Sequence, residues 1–316
     1  GFSQVSTIRK LKKDPIKNGP STCLIYEQVY CQEEHKSEEV RNNALSYQYV
    51  LKRLRNDLSE TKHSIGRTGL IKENRILHNL RHPNIVHLYY HSHYINDGRE
   101  CDRDEQNDSS SAVNTPRQLS HFLVLERIDK TLEFQLVLWD RYKNCSNEIY
   151  QESMLEKQIS FSCDVAAGMK YLHDNKILYR DLKSANIGID YEGKAKIFDF
   201  GLAKELTSNC VKVGPDQYKL TKNIGTPRHM AWEVAYGRPY GFSADVYSFG
   251  TVLYELWSLE QIWHNEESYQ SHAKNVYERR KRPKIKSSWP KSVQCLMKSC
   301  WDHAPSSRPT FESILQ

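Results

Sequence analysis

The chain holds no apolar run long enough to cross a bilayer, so no membrane-spanning segment is expected. No charged-then-apolar leader opens it, and Gly1 reads as an internal position rather than a native start. Its eight cysteines form no Cys-x-x-Cys pair and no His/Cys zinc spacing. In 316 residues such scattered thiols are expected to be reduced, which points to an intracellular, cytoplasmic setting. The net charge of +6 is small and dispersed, which excludes the dense basic stripe of a nucleic-acid binder. No internal repeat is present.

What the chain does have is 38% hydrophobic residues, enough for one large or two small cores. The mean hydropathy of −0.72 is low for a globular enzyme and predicts polar insertions. Two stretches fit, at about 10–43 and about 95–120. Only Cys23-Leu24-Ile25-Tyr26 interrupts the first with apolar residues.

The densest chemistry lies in Leu178-Tyr179-Arg180-Asp181-Leu182-Lys183-Ser184-Ala185-Asn186-Ile187, followed by Lys196-Ile197-Phe198-Asp199-Phe200-Gly201. Two short apolar strands around the turn Tyr191-Glu192-Gly193-Lys194 bring Asp181, Lys183, Asn186 and Asp199 together. Two carboxylates, an amide and an ammonium on rigid supports can grip a metal–polyphosphate and position a hydroxyl. A loose acidic–basic cluster is usually a solvated surface, but here the order and spacing form a signature.

That signature resembles the catalytic and metal-binding loops of a eukaryotic protein kinase domain. The run Asp181-Leu182-Lys183-Ser184-Ala185-Asn186 resembles the serine/threonine type, closest to the tyrosine-kinase-like group, as does Asp245-Val246-Tyr247-Ser248-Phe249-Gly250. The resemblance covers nearly the whole chain outside the polar insertions. It implies an α+β, bilobal protein kinase-like fold, with a small antiparallel-sheet lobe at 1–128 and a larger, mainly helical lobe at 129–316. The small lobe would lack its first strand.

The resemblance also assigns roles. Asp181 would orient the acceptor hydroxyl and take its proton, and Lys183 would neutralise charge on the moving phosphoryl group. Asn186 and Asp199 would hold Mg2+ against ATP. Val50 and Lys52 stand on a strand, and Lys52, held by Glu73, would fix the α- and β-phosphates. Gly1-Phe2-Ser3-Gln4-Val5 resembles the second half of a phosphate-covering glycine loop, with Val5 over the adenine. A rival match at Asn18–Ile25 keeps almost no glycine where it is needed, and its proline removes a backbone donor. Leu125 would guard the deep end of the adenine pocket, and the backbones of Glu126 and Ile128 would meet the adenine edge. Gly188 departs from the family, which places a leucine or similar residue under the adenine. Tyr179 stands where many kinases have histidine, and would stack with Phe200, Leu77 and Leu88.

The run Gly225-Thr226-Pro227-Arg228-His229-Met230-Ala231-Trp232-Glu233 resembles the family's G-T-x-x-Y-M-A-P-E, with Trp232 in place of proline. Thr226 would contact both Asp181 and Lys183, and Glu233 would pair with Arg308. Arg180 implies a phosphate on the segment before residue 226, with Thr207, Ser208, Tyr218 and Thr221 as acceptors. The implied reaction is transfer of the γ-phosphate of ATP to serine or threonine of protein substrates, in signalling, under an upstream kinase or activator. The first rival is a catalytically weak or inactive pseudokinase serving as a binding or allosteric partner. Lys52, Asp181, Asn186 and Asp199 argue against it. The second is a tyrosine or dual-specificity kinase, which Lys183 and Thr226 disfavour. In the helix before residue 174, Ile159, Val165, Met169 and Leu172 are expected on one core stripe. Asp245, at the start of its own helix, is expected to cap backbone amides.

Overall fold

The computed structural model describes residues 3–13, 24–28, 49–54, 59–91, 122–142, 148–263 and 268–316. The chain divides into two compact units. The smaller comprises Gly1–Asn74 and Leu88–Glu126, the larger Arg75–His87 and Arg127–Gln316. The expected boundary at residue 128 therefore shifts to 126/127, and segment 75–87 belongs with the larger unit.

The smaller unit is an antiparallel five-stranded sheet. Its strands are β1 (Ser3–Lys13), β2 (Leu24–Gln28), β3 (Tyr49–Leu54), β4 (Leu88–His91) and β5 (Phe122–Glu126), in the order β2-β1-β3-β5-β4. Val5 pairs with Lys52, and Val50 with both Thr7 and Leu125. Leu51 and Val124 are fully buried, with Tyr49, Tyr90 and Phe122 packed against them. The stretch expected as polar insertion from about residue 10 thus contains the end of β1 and all of β2. Backbone pairing explains the difference, because a strand can form on its neighbour's amides and carbonyls without an apolar pattern of its own. The insertion at 95–120, like Gly1 and Phe2, lies outside the described residues.

Helix α1 (Glu60–His78) carries Glu73 and runs through Gly66 and Gly69. A helix-interior glycine costs roughly 0.5–1 kcal/mol against alanine, which a helix of 19 residues absorbs.

In the larger unit, β6 (Lys130–Thr131) leads into α2 (Leu132–Tyr142) and α3 (Glu148–Asp174). Strand β7 (Ile177–Leu178) opens the loop carrying Asp181. Strands β8 (Ile187–Ile189) and β9 (Ala195–Ile197) form the expected hairpin, with Ile187 opposite Ile197. One oxygen of Asp190 accepts from the amides of Glu192 and Lys194 (2.9 Å each), and Gly193 takes φ +79° in the turn. Further on, β10 (Lys204–Glu205) pairs with β7, and β11 (Lys212–Gly214) pairs with β12 (Gln217–Tyr218). Helix α4 (Ser243–Ser258) is buried along nearly its whole length, as an all-round apolar helix should be. Helix α5 (Lys291–Cys300) follows, and Gly250 of α4 lets Cys300 and Trp301 approach closely.

Val165, Met169 and Leu172 are buried as expected, but Ile159 is 46% exposed. The stripe continues instead through Gln158, which is buried and donates to the Leu256 carbonyl at 2.8 Å. Counting back from Leu172 in steps of three and four reaches 158, so a polar residue holds the core position.

Candidate active site

Asp181 is the hub of a closed hydrogen-bonded cluster in the larger unit. Its Oδ2 accepts from Lys183 Nζ and from Asn186 Nδ2, both at 2.9 Å. Its Oδ1 accepts from Thr226 Oγ1 at 2.7 Å, and Lys183 Nζ donates to that same hydroxyl at 2.7 Å. Asn186 Nδ2 also bonds the Asp181 carbonyl at 2.9 Å, which leaves its Oδ1 as an acceptor. Thr226 thus stands where the resemblance implied.

The loop that presents Asp181 is held from beneath. Asp245 does not cap its own helix: its Oδ1 accepts from the Arg180 amide and its Oδ2 from the Tyr179 amide, both at 2.8 Å. His173 Nε2 lies 3.0 Å from the same Oδ2. The amides at the head of α4 go to a residue the sequence reading missed. Asp216 accepts from Phe242 N at 2.9 Å and Ser243 N at 3.0 Å. Only its proximity to Gly214-Pro215 hinted at a turn, and nothing local links it to residue 242.

Two residues sit in the left-handed region here, Arg180 at φ +70° and Asp199 at φ +65°. Neither is glycine, and such strain collects where a side chain must be aimed. Gly225 (φ +105°) passes against the Arg180 carbonyl so tightly that a Cβ would overlap it. Phe198 connects the Asp199 side: its amide donates to Asn186 O at 3.1 Å, and its carbonyl accepts from the Tyr179 hydroxyl. Asp199 follows directly and is exposed. Tyr179 and Phe200 meet edge to face at 5.3 Å, as implied. Leu77 is buried in the same unit, while Leu88 belongs to the smaller one.

Among the described residues no three His, Cys, Asp or Glu side chains form a metal cage. Mg2+ is commonly held by one or two carboxylates together with substrate phosphates. The exposed Asp199 carboxylate and the spare Asn186 Oδ1 suit that kind of site.

Gly188 is buried beneath Ile128, whose side chain occupies the space a Cβ at 188 would need. The space beside Gly188 is therefore filled from the chain that follows β5. In the smaller unit, Lys52 Nζ bonds both oxygens of the buried Glu73, at 2.9 and 2.7 Å. Leu125 is buried in the same unit, and Glu126 ends β5. Arg180 donates to the Leu202 carbonyl at 2.8 Å and reaches the Tyr240 hydroxyl at 3.5 Å. Thr207, Ser208 and Thr221 are exposed, and Tyr218 is half-buried.

Glu233 and Arg308 form the expected buried pair, at 2.5 and 3.1 Å. Trp232, in the proline's place, stacks on His303 at 4.8 Å and donates to its carbonyl at 2.8 Å.

The protein kinase domain family matches residues 36–316. The stretch Gly1–Val5 lies outside that match. Serine/threonine-protein kinase CTR1 of Arabidopsis thaliana is 32% identical over 247 residues, 78% of this chain and 26% of its own length. Serine/threonine-protein kinase STY17 of the same plant is 37% identical over 163 residues, 51% of this chain and 27% of its own. Dual specificity protein kinase shkD of Dictyostelium discoideum is 36% identical over 167 residues, 52% of this chain and 21% of its own. The chain therefore spans about a quarter of the length of these relatives. With the Asp181 cluster in place and nearly all of the sequence inside the match, the chain belongs to the protein kinase domain family.

Proposed function

We propose that this kinase domain transfers the γ-phosphoryl group of ATP to serine or threonine hydroxyls of protein substrates. The triangle of Asp181, Lys183 and Thr226 carries the reading. The acceptor oxygen forms a bond to the γ-phosphorus, the bond from that phosphorus to the ADP oxygen breaks, and the acceptor proton passes to Asp181. Lys183 balances charge on the transferring group. Lys52, fixed by Glu73, holds the α- and β-phosphates, with Val5, Val50, Leu125, Ile128 and the Glu126 backbone around the adenine. The resemblance assigns Gly1, outside the described residues, to the loop over the phosphates. Asp199 and Asn186 would hold Mg2+, which when bound cancels phosphate charge. The retained Lys52, Asp181, Asn186 and Asp199 favour an enzyme over an inactive binding partner.

The Arg180 guanidinium bonds only neutral oxygens among the described residues. That supports a phosphate on Thr207, Ser208, Tyr218 or Thr221, added by an upstream kinase or by the protein itself. The free thiols Cys163, Cys210, Cys295 and Cys300 suit a reducing, intracellular compartment.

The test is a magnesium-ATP phosphotransfer assay on a generic protein substrate, with phosphoamino-acid analysis and mass spectrometry of residues 204–226 in the active protein. Phosphoserine or phosphothreonine is expected in the substrate, and phosphate within 204–226. Asp181→Asn should abolish transfer while nucleotide still binds, whereas Asp199→Ala should also lose magnesium-dependent nucleotide binding. Wild-type turnover by Asp181→Asn would overturn the assignment. Phosphotyrosine as the main product would overturn the acceptor class. An unmodified 204–226 segment in fully active protein would overturn the regulatory reading.

A further inference from the structure

The positive charge of the chain, expected to be dispersed, is gathered in one stretch. Residues 279–301 hold eight lysines and arginines and no aspartate or glutamate. The whole chain is at +6, so everything outside that stretch is at −2. Six of the eight stand in Arg279-Arg280-Lys281-Arg282-Pro283-Lys284-Ile285-Lys286, which forms neither helix nor strand.

Arg282 belongs to the body of the larger unit: its guanidinium donates to the carbonyls of Val276 (3.0 Å), Lys281 (2.9 Å) and Trp301 (3.1 Å). The other five are exposed, and among the described residues none of their side chains forms an ion pair or a hydrogen bond. Lys286 lies over the Trp289 ring at 5.9 Å. A solvated surface normally intersperses both signs of charge, so a run of one sign this dense attracts anions. The tract begins close to the Asp181 cluster. Lys183, Thr226, Ser268, Tyr269 and His272 are among the residues that line a cavity of about 490 Å³. The short helix Tyr269–His272 passes into a π-helical turn, Ala273–Glu278, and Arg279 follows. In that turn the Tyr277 hydroxyl donates to the carbonyl of Pro227, next to Thr226, at 3.0 Å.

We propose that Arg279, Arg280, Lys281, Lys284 and Lys286 form a docking surface for an acidic segment of the protein substrate, apart from the place where the acceptor hydroxyl meets Asp181. This rests on the phosphotransfer reading above, which makes the partner a protein. A substrate whose acceptor lies at the cavity reaches the tract with residues a short way along its own chain. Trp289, the large aromatic of the stretch, is turned to the body, where it meets Tyr254 at 5.9 Å and Trp257 at 6.3 Å. A membrane would therefore be held by charge alone, without the apolar face that seats an interfacial segment. Exposed ion pairs are individually weak, so docking draws on several at once and is sensitive to salt. It raises the local concentration of the acceptor and so acts on KM, not on the chemical step.

The probe is a generic serine peptide, made with and without a run of glutamates joined through Gly-Ser linkers of graded length. At the best linker the acidic tail should lower the peptide KM on the order of tenfold. Both kcat and the KM for ATP should stay within about twofold. The advantage should fade as salt is raised. A variant combining Arg279→Glu, Arg280→Glu, Lys281→Glu and Lys284→Glu should melt close to wild type, because these side chains are exposed and unbonded. It should treat the tailed and untailed peptides alike. If the reversal prevents folding, Arg279→Ser combined with Lys281→Ser and Lys284→Ser is read the same way. A tail that gives wild type no advantage, or an advantage kept in the folded variant, overturns the inference and leaves the kinase reading standing. So does a variant that loses binding only to anionic vesicles or to DNA, which assigns the tract a different partner. Fluorescence anisotropy of the labelled tail reads docking apart from catalysis. A tail bound by wild type and not by the variant, with no phosphate transferred to any peptide, overturns the phosphotransfer reading alone.

Discussion

Gly188 shows how far a single departure from a family pattern can be read. From sequence it is a missing floor under the adenine. In the structure the space is taken by Ile128, so the bulk that this chain lacks at 188 is supplied by a residue sixty positions earlier. Gly188→Leu should overpack this contact and cost roughly 1–3 kcal/mol. Adding Ile128→Ala should restore the melting temperature; a single variant as stable as wild type would show that the contact yields. The contacts of Asp181, Lys183, Thr226, Glu73 and Arg308 were legible because each lies in a motif with fixed spacing. Those of Asp216 were not: its partners Phe242 and Ser243 lie 26 and 27 residues away and are met through space rather than along the chain.

At the scale of elements, periodicity found the β8–β9 hairpin and the long helices, but it misplaced what tertiary contact decides. Ile159 looked like core because it is apolar, yet Gln158 has the position and meets a carbonyl there. Strand β2 has little pattern of its own and exists by pairing with β1. The head of α4 is the clearest case of long-range control. Asp216 places a carboxylate on two of its orphan amides and thereby ties the β11–β12 hairpin to the most buried helix. The Tyr218–Tyr240 bridge and the Tyr240 bond to the Thr221 carbonyl at 2.8 Å support the same junction. Asp216→Ala should cost about 1 kcal/mol, typical of a lost cap. Hydrogen exchange should then quicken at the amides of Phe242 and Ser243. Unchanged protection at those two sites would show that the carboxylate is not what holds them.

At the scale of the molecule, the two units are not consecutive pieces of chain. The path passes from one to the other at 74/75, again at 87/88 and again at 126/127, the first of these inside α1. Segment 75–87 is bonded into the larger unit by backbone and side chain. Ile197 N donates to the Asn84 carbonyl at 2.9 Å, Val86 N to the Ile197 carbonyl at 3.0 Å, and Asn84 Nδ2 to the Ala195 carbonyl at 2.9 Å. Ile85 and Val86 are buried there. A clone cut at the apparent boundary, residues 129–316, leaves the amide and carbonyl of Ile197 and an apolar bed bare. It should be recovered largely as aggregate, and a synthetic peptide of residues 75–87 added during refolding should raise the soluble yield. A fragment that is soluble and cooperatively folded without the peptide would refute this. The larger unit therefore needs a wedge of sequence that a linear map assigns elsewhere, and gene fragments for this protein have to be drawn from contacts in space.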